Sequence, residues 1–205
     1  MAAFPPGGTY FDGKKSFAQV PVDDSKDGGA ISTTEFLEAA EALTGLFDIL
    51  GPTAFKPVKT DMAGNIKKIR DRQLESPVDS ETLQDLARNE LKTKKHTATE
   101  GLLWLTRGLD FTAQGLRHNL KHSDQELSVS FREAYGGTLK PHHSFAIKPI
   151  FSMAMSACPY RKDFYGKLGD DQPRVHKELD EWLQGLEKIV DILNKFTQSK
   201  EAQWK

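Results

Sequence analysis

Apolar residues recur at helical spacing along most of the chain, and this periodicity limits the fold more than any other feature. From 36 to 50 they fall three or four positions apart, the period of a helix with one buried face. Ser32 and Glu35 have capping-box spacing at the start of this segment, and Gly51 and Pro52 follow its end. No segment alternates apolar and polar residues as a half-buried strand does. The sequence therefore predicts an all-α fold of about eight helices without a sheet.

Similar patterns predict the remaining helices. The first 30 residues are instead rich in Gly, Pro, Asp and Lys. We expect residues 1–30 to form an irregular N-terminal arm lying over one domain, residues 31–205. The further helices are predicted at 57–72, 81–95 with Ser80 as N-cap, 97–120, 126–135, 141–157, 162–168, and from Pro173 to about 202.

Charge and cysteine content exclude several classes of protein. The formal net charge is −1, so no global basic field would attract nucleic acid. The single cysteine, Cys158, cannot form an internal disulfide and fits a reducing compartment. The longest uncharged stretch, 149–160, is shorter than the ~18–20 residues of a membrane span. With no basic-then-apolar signal at the N-terminus, we expect a cytoplasmic protein that is at most peripheral to membranes.

Three polar residues of the second predicted helix share one face. Asp61, Asn65 and Lys68 fall within about 60° of one another at helical spacing. A carboxylate, an amide and an ammonium together accept from and donate to the hydroxyls of a polyol. The alternative is an ordinary solvated helix face.

Two further residue types could join such a site. Trp104 lies in an apolar helix, where its ring could stack on a sugar or simply fill the core. His142 and His143 open the sixth predicted helix, and a histidine there can donate to a carbonyl oxygen. His118 and His122 have metal-ligand spacing but lack a third ligand, so we predict no metal.

Nucleotide-binding and hydrolase signatures do not occur in the sequence. It contains no Gly-rich phosphate loop, no nucleophile elbow and no paired cysteines. We therefore expect a binding protein without a cofactor, not an enzyme.

Several ordered segments resemble the glycolipid transfer protein family, and its fungal, heterokaryon-incompatibility-type branch in particular. The similarity spans about 170 residues and begins with a lead-in at 34–55. The matching segments are FKPVKTDMAGNIKKI at 55–69, LWLTRGLDF at 103–111, HSF at 143–145, IF at 150–151 and ACPYRKDF at 157–164. The resemblance implies two layers of helices around a lipid pocket, and transfer of glycosphingolipids, single-sugar ceramides above all, between membranes.

The resemblance also implies roles for individual residues. Asp61 would accept from the ceramide amide and a sugar hydroxyl, while Asn65 and Lys68 would bind the first sugar. Trp104 would lie under that sugar, and His143 would donate to the amide carbonyl. The pocket for the hydrocarbon chains would be lined by Phe47, Phe55, Val58, Phe111, Phe151, Phe164 and Leu168. Ordinary core packing would give these residues the same pattern.

A transfer protein must also touch a membrane surface transiently. Exposed aromatic residues beside cations give weak, reversible docking. Phe145 stands where animal members of the family carry Trp, and Glu100 stands where they carry an apolar residue. The candidates for membrane contact are Phe145, Tyr160, Arg161, Lys162 and Trp204.

Other functions remain open on sequence grounds. Ceramide-1-phosphate transfer would need cations converging on a phosphate. Asn65 and Trp104 argue against it, whereas Arg107 is a nearby cation. A glycolipid sensor acting through an unidentified protein partner would use the same pocket. An enzyme would need a nucleophile beside Asp61 or His143, and none has a recognised spacing.

Overall fold

The computed structural model describes residues 4–26 and 28–204, and most of these residues are helical. The predicted all-α class is confirmed. Among the described residues the helices are α1 (Thr33–Thr44), α2 (Leu46–Leu50), α3 (Lys56–Glu75), α4 (Leu83–Lys92), α5 (Thr97–Lys121), α6 (Leu127–Gly137), α7 (Lys148–Ser156), α8 (Arg161–Leu168) and α9 (Gln172–Gln198), with short 3-10 turns at Phe17–Gln19, Val78–Ser80 and Lys200–Ala202.

Gly45 divides the first predicted helix into α1 and α2. Its N–H bonds to the Ala42 carbonyl, three residues back, and this bond tightens the turn between the two helices. At the start of α1 the expected capping box is incomplete. The Ser32 hydroxyl bonds to the Glu35 carboxylate and does not accept a backbone N–H.

The prediction of Ser80 as the N-cap of the third helix was wrong. Ser80 is buried at the end of a 3-10 turn, and this turn delays the helix start. Thr82 caps α4 instead, because its hydroxyl accepts from the Asp85 N–H at 3.1 Å.

The sixth predicted helix also begins later than expected, at Lys148 rather than near Pro141. Pro149 occupies the first turn of α7, where a missing N–H breaks no helical bond. His142 and His143 lie in the preceding turn, and both of their N–H groups bond to the Leu139 carbonyl. These histidines are therefore held by a turn and do not open a helix.

One short antiparallel ladder joins β1 (Val22–Asp23) to β2 (Ala30–Ile31), so the prediction of no sheet was wrong at this place. Two-residue strands are too short to produce a readable alternation in sequence.

The described part of the predicted arm lies against α9. A Cβ on Gly185 would be 2.8 Å from the Ala18 Cα, so this close approach requires glycine. Residues 1–3, 27 and 205 of the two predicted segments lie outside the described residues.

The central helix of the fold is α5. It packs against α3 and α6 and also contacts α4 and α9. Its buried face includes Leu102, Leu105, Leu109 and Leu116, which recur at helical spacing. Of the helices described, none combines the length and apolar character that crossing a membrane requires.

Candidate functional site

A cavity of about 750 Å³ opens between α3, α5 and the segment from His143 to Phe151. All five residues predicted to bind a head group line it: Asp61, Asn65, Lys68, Trp104 and His143. The fold therefore brings together side chains from three separate parts of the sequence.

The three polar residues of α3 form a hydrogen-bonded chain. The Asn65 amide donates to Asp61 Oδ2 at 3.2 Å and accepts from Lys68 Nζ at 3.2 Å. Asn65 is almost fully buried, whereas Asp61 is exposed. A carboxylate offers about four acceptor positions and an ammonium three donors, so both outer residues keep capacity for a ligand.

Asp61 is exposed as a residue, but neighbouring protein atoms still reduce the hydration of its carboxylate. Surrounding protein atoms raise its pKa above the ordinary value, and the nearby Lys68 ammonium partly opposes this rise. A poorly hydrated carboxylate gains more from ligand hydroxyl or amide donors than a fully solvated one. Asp61 is thus suited to accept hydrogen bonds from a polar head group.

Glycine at position 101 lets α5 approach α3 closely beneath this polar chain. A Cβ there would lie 3.2 Å from the Lys68 Cβ and 3.3 Å from the Asn65 carbonyl oxygen. At Gly108, two turns further along, a Cβ would meet Met62 at an ordinary 3.5 Å. The absence of a side chain at 101 therefore sets the spacing between the polar chain and α5.

The start of α5 is fixed by a buried glutamate of α4. Glu90 accepts from the backbone N–H groups of Ala98 and Thr99 at 2.9 and 2.7 Å. Free N–H groups and the positive end of the helix dipole favour a carboxylate at this point. This contact positions Glu100, in the first turn of α5, and Trp104, about one turn later, and both line the cavity.

Trp104 is half-buried in the cavity wall. The Arg107 guanidinium lies 4.8 Å from its ring centre, and the His143 ring lies nearly parallel to it at 5.9 Å. These neighbours restrict the indole while it still lines the cavity. Arg107 does not number among the cavity-lining residues.

His143 is held from behind by Tyr135. The tyrosine hydroxyl lies 3.1 Å from His143 Nδ1. Burial, followed by the charges of His142, Lys148 and Arg107, lowers the pKa of His143, so the ring is neutral at physiological pH. A neutral ring whose Nδ1 accepts from Tyr135 carries its proton on Nε2, where it can donate into the cavity.

The predicted hydrocarbon-binding residues are all buried, but only Phe151 borders the cavity. From His143, contacts between rings continue inward through Phe151 and Phe111 to Phe131 and then Phe55. Phe47 stacks on Phe55 at the end of this series. The remaining predicted residues, Val58, Phe164 and Leu168, are packed in the core.

Three of the five residues predicted to contact the membrane are exposed, and two contact other protein groups. Phe145 and Tyr160 are 91% and 73% exposed, and Lys162 is also exposed. The prediction for Arg161 needs correction, because its guanidinium bonds to the Asn119 backbone and side-chain oxygens and lies over the Tyr165 ring.

Trp204 also packs on protein. It stacks on His96 with ring centres 5.2 Å apart, beside the start of α5. Exposed apolar residues that the sequence did not single out lie on or next to α7, at Ile147, Ile150 and Met153.

Several cavity residues were missed from sequence. Thr53, just before α3, and Lys56, Pro57 and Thr60, near its start, line the cavity on one side, and Ile147 and Ile150 line it on the α7 side. Ile147 and Ile150 lie in a weakly charged segment and could have been noticed. The α3 residues have no distinguishing pattern, because polar residues are common on any exposed helix face.

His118 and His122 contact each other and neighbouring protein groups. Their rings stack at 4.1 Å, and His118 Nδ1 faces the Ser130 hydroxyl at 3.1 Å. Within residues 4–26 and 28–204, no cluster of three or more His, Cys, Asp or Glu side chains could hold a metal ion.

Comparison with known proteins gives a consistent result. The family model described as glycolipid transfer protein matches residues 31–170. A protein of Aureobasidium melanogenum named glycolipid transfer protein is 73% identical over 205 residues, which is 100% of both chains.

Solved structures agree with this match, and they confirm the predicted two-layer helical fold. The fungal glycolipid transfer protein HET-C2 superimposes with a TM-score of 0.90 at 63% identity, over 93% of this chain and 97% of that one. FAPP2, described as selecting simple glycosphingolipids with the same fold, gives a TM-score of 0.82 at 30% identity, over 93% and 95% of the two chains. The chain belongs to the glycolipid transfer protein family.

Proposed function

We propose that this protein moves single glycosphingolipids between membranes, holding the sugar and amide in the cavity and the hydrocarbon chains in the adjoining apolar interior. The observation that carries the proposal is the meeting of Asp61, Asn65, Lys68, Trp104 and His143 in one cavity. The high similarity to glycolipid transfer proteins along the whole chain supports it.

Each part of the cavity suits one part of the ligand. Asp61 and Lys68, linked through Asn65, offer acceptors and donors to sugar hydroxyls. Trp104 offers an aromatic face, and His143 Nε2–H offers a donor for the amide carbonyl. A wrong head group leaves such polar groups unpaired at about 1–3 kcal/mol each, so several of them provide selectivity.

The hydrocarbon chains account for the need for a carrier. Each buried CH₂ is worth about 0.8 kcal/mol, so a ~16-carbon chain resists transfer into water by roughly 12 kcal/mol. The ring series from Phe151 to Phe47 leads inward from the cavity and offers an apolar environment in place of the bilayer. For chains to enter, these side chains must separate, and a lipid that binds the opened conformation better shifts the population towards it.

Ceramide-1-phosphate is a less suitable ligand on electrostatic grounds. Two cations, Lys56 and Lys68, line the cavity, but Asp61 and Glu100 line it as well. A phosphate would be repelled by these carboxylates, whereas sugar hydroxyls can donate to them.

Transfer between vesicles tests the proposal directly. Labelled glucosylceramide, ceramide-1-phosphate and phosphatidylcholine are offered separately in donor vesicles, and their arrival in acceptor vesicles is followed with time. We expect rapid transfer of glucosylceramide and little transfer of the other two lipids. Preferential transfer of ceramide-1-phosphate would contradict the sugar assignment.

Recovery of the lipid distinguishes transport from catalysis in the same assay. We expect glucosylceramide to be recovered unchanged by mass spectrometry, and hydrolysis or modification would favour an enzyme. Tight binding without transfer would favour a sensor that acts through a protein partner.

A further inference from the structure

A second cavity lies on the other side of α7 from the head-group cavity. Its volume is about 420 Å³, and it is lined by residues of α6, α7 and the connecting turns. We call it the basic groove, because its walls include Arg132, Lys140 and Lys148. No acidic residue belongs to its described lining.

The cations of the basic groove have few partners. Arg132 donates to the Ser156 hydroxyl at 2.7 Å. Of the ion pairs formed by the described residues, none involves Arg132, Lys140 or Lys148. Three like charges around one concavity repel one another, and a bound anion would relieve that repulsion.

Exposed apolar side chains beside the groove indicate where this anion comes from. Phe145, which lines the groove, is 91% exposed, and Met153, on α7 but not part of the groove lining, is 71% exposed. Large exposed apolar residues beside cations are typical of surfaces that enter the interface of an anionic bilayer. A soluble anion would gain nothing from Phe145 or Met153.

We propose that the basic groove binds the phosphate of an anionic phospholipid head group and so anchors the α7 side of the protein on the membrane. Arg132, Lys140 and Lys148 surround the phosphate, and Phe145 enters the bilayer beside it. Since Ile147, Ile150 and Phe151 of the same segment line the head-group cavity, this anchorage turns that cavity towards the membrane. The inference rests on the proposed function only in requiring that the protein meets membranes.

Vesicle flotation without any glycolipid tests the groove separately from transfer. Vesicles of phosphatidylcholine alone are compared with vesicles that also contain phosphatidic acid. The groove variant carries Arg132→Gln, Lys140→Gln and Lys148→Gln. The control variant carries Lys67→Gln, Lys177→Gln and Lys195→Gln, which remove the same charge from exposed positions on α3 and α9.

Each basic side chain at an anionic membrane surface contributes about a factor of five to binding. We therefore expect the groove variant to bind phosphatidic acid vesicles about a hundredfold more weakly than the unmodified protein, and the control variant to bind within about twofold of it. Equal losses in the two variants would overturn the proposal, since general charge would then explain binding.

Soluble glycerol 3-phosphate identifies the source of the phosphate. We expect weak binding by calorimetry, because the apolar contacts with the bilayer are missing. If glycerol 3-phosphate bound as tightly as the vesicles, the membrane assignment would be overturned in favour of a soluble phosphate compound.

Glycolipid transfer between phosphatidylcholine vesicles reports on the proposed function, and we expect the groove variant to retain this transfer. If the unmodified protein transferred no glycolipid between these vesicles, the proposed transfer function would be contradicted, but the flotation result would still test the groove.

Discussion

The Tyr135 hydroxyl lies 3.1 Å from Nδ1 of His143, one of the five head-group candidates that line the cavity. Burial raises the pKa of Tyr135, and burial with nearby cations lowers the pKa of His143, so both groups are neutral near physiological pH. A protonated phenol can donate to Nδ1 and leave the proton of the ring on Nε2. We therefore infer that Tyr135 positions His143 and leaves Nε2–H as the free donor of the ring.

Replacing Tyr135 with Phe should weaken glycolipid binding about fivefold to tenfold, because a hydrogen bond of about 1 kcal/mol no longer selects the Nε2–H tautomer. Nitrogen NMR of the His143 ring should show a mixture of tautomers in the variant. An unchanged tautomer with weaker binding would indicate that Tyr135 acts through packing instead.

Replacing Asp61 with Asn should weaken glycolipid binding about 10- to 100-fold, because hydrogen bonds to a charged acceptor are worth about 1.5–3 kcal/mol. Asparagine has nearly the same shape and can still accept from Asn65. Calorimetry with glucosylceramide in detergent measures the change. Binding within twofold of the original would exclude Asp61 as the main acceptor.

The same variant should be more stable than the original protein at neutral pH. The folded-state pKa of Asp61 is raised above 3.8, so the folded protein binds this proton more tightly than the unfolded chain does. The stability that Asp61 contributes is therefore complete below pH 3.8 and is lost as the pH rises through the folded-state pKa. Urea unfolding should show the gain of Asp61→Asn at neutral pH and no gain in acid. A loss of stability at neutral pH would contradict this account.

Gly101→Ala should reduce glycolipid transfer, because the new methyl group would press on Lys68 and on the Asn65 carbonyl. Gly108→Ala is the matched control on the same helix, since its methyl group meets Met62 at an ordinary distance. Both changes gain about 1 kcal/mol of helix propensity, so the difference between them isolates the close approach. Equal transfer by the two variants would show that the spacing of α3 and α5 at Gly101 is not critical.

Trp104→Ala should mainly reduce lipid transfer, whereas Trp182→Ala should mainly reduce the free energy of unfolding. Trp104 lines the cavity, so its loss should abolish most transfer with a small change in the free energy of unfolding. Trp182 is buried against Phe11 and Phe17, so its loss should lower that free energy by about 3–5 kcal/mol while the folded protein still transfers lipid. Vesicle transfer and urea unfolding of both variants check this. Normal transfer by Trp104→Ala would remove Trp104 from the site.

Much of the fold and part of the site follow from local sequence patterns. The apolar period specifies α3, α5 and α9 because burying one face of a helix requires that period. The stripe of Asp61, Asn65 and Lys68 follows from helix geometry alone. Helix starts were less predictable. Ser80 and Pro141 carry the same local signals as Thr82 and Pro149, and the neighbouring turns decide between them.

The sequence by itself determined the helical class, the polar stripe on α3 and, through family resemblance, the five cavity residues. Only the tertiary structure decided that Tyr135 supports His143, that Arg161 turns inward to Asn119, and that Gly101 sets the spacing of the site. The physical reason is the separation along the chain over which each kind of interaction acts. Helical period and capping act within a few residues, whereas these contacts join segments whose approach depends on the packing of the whole core.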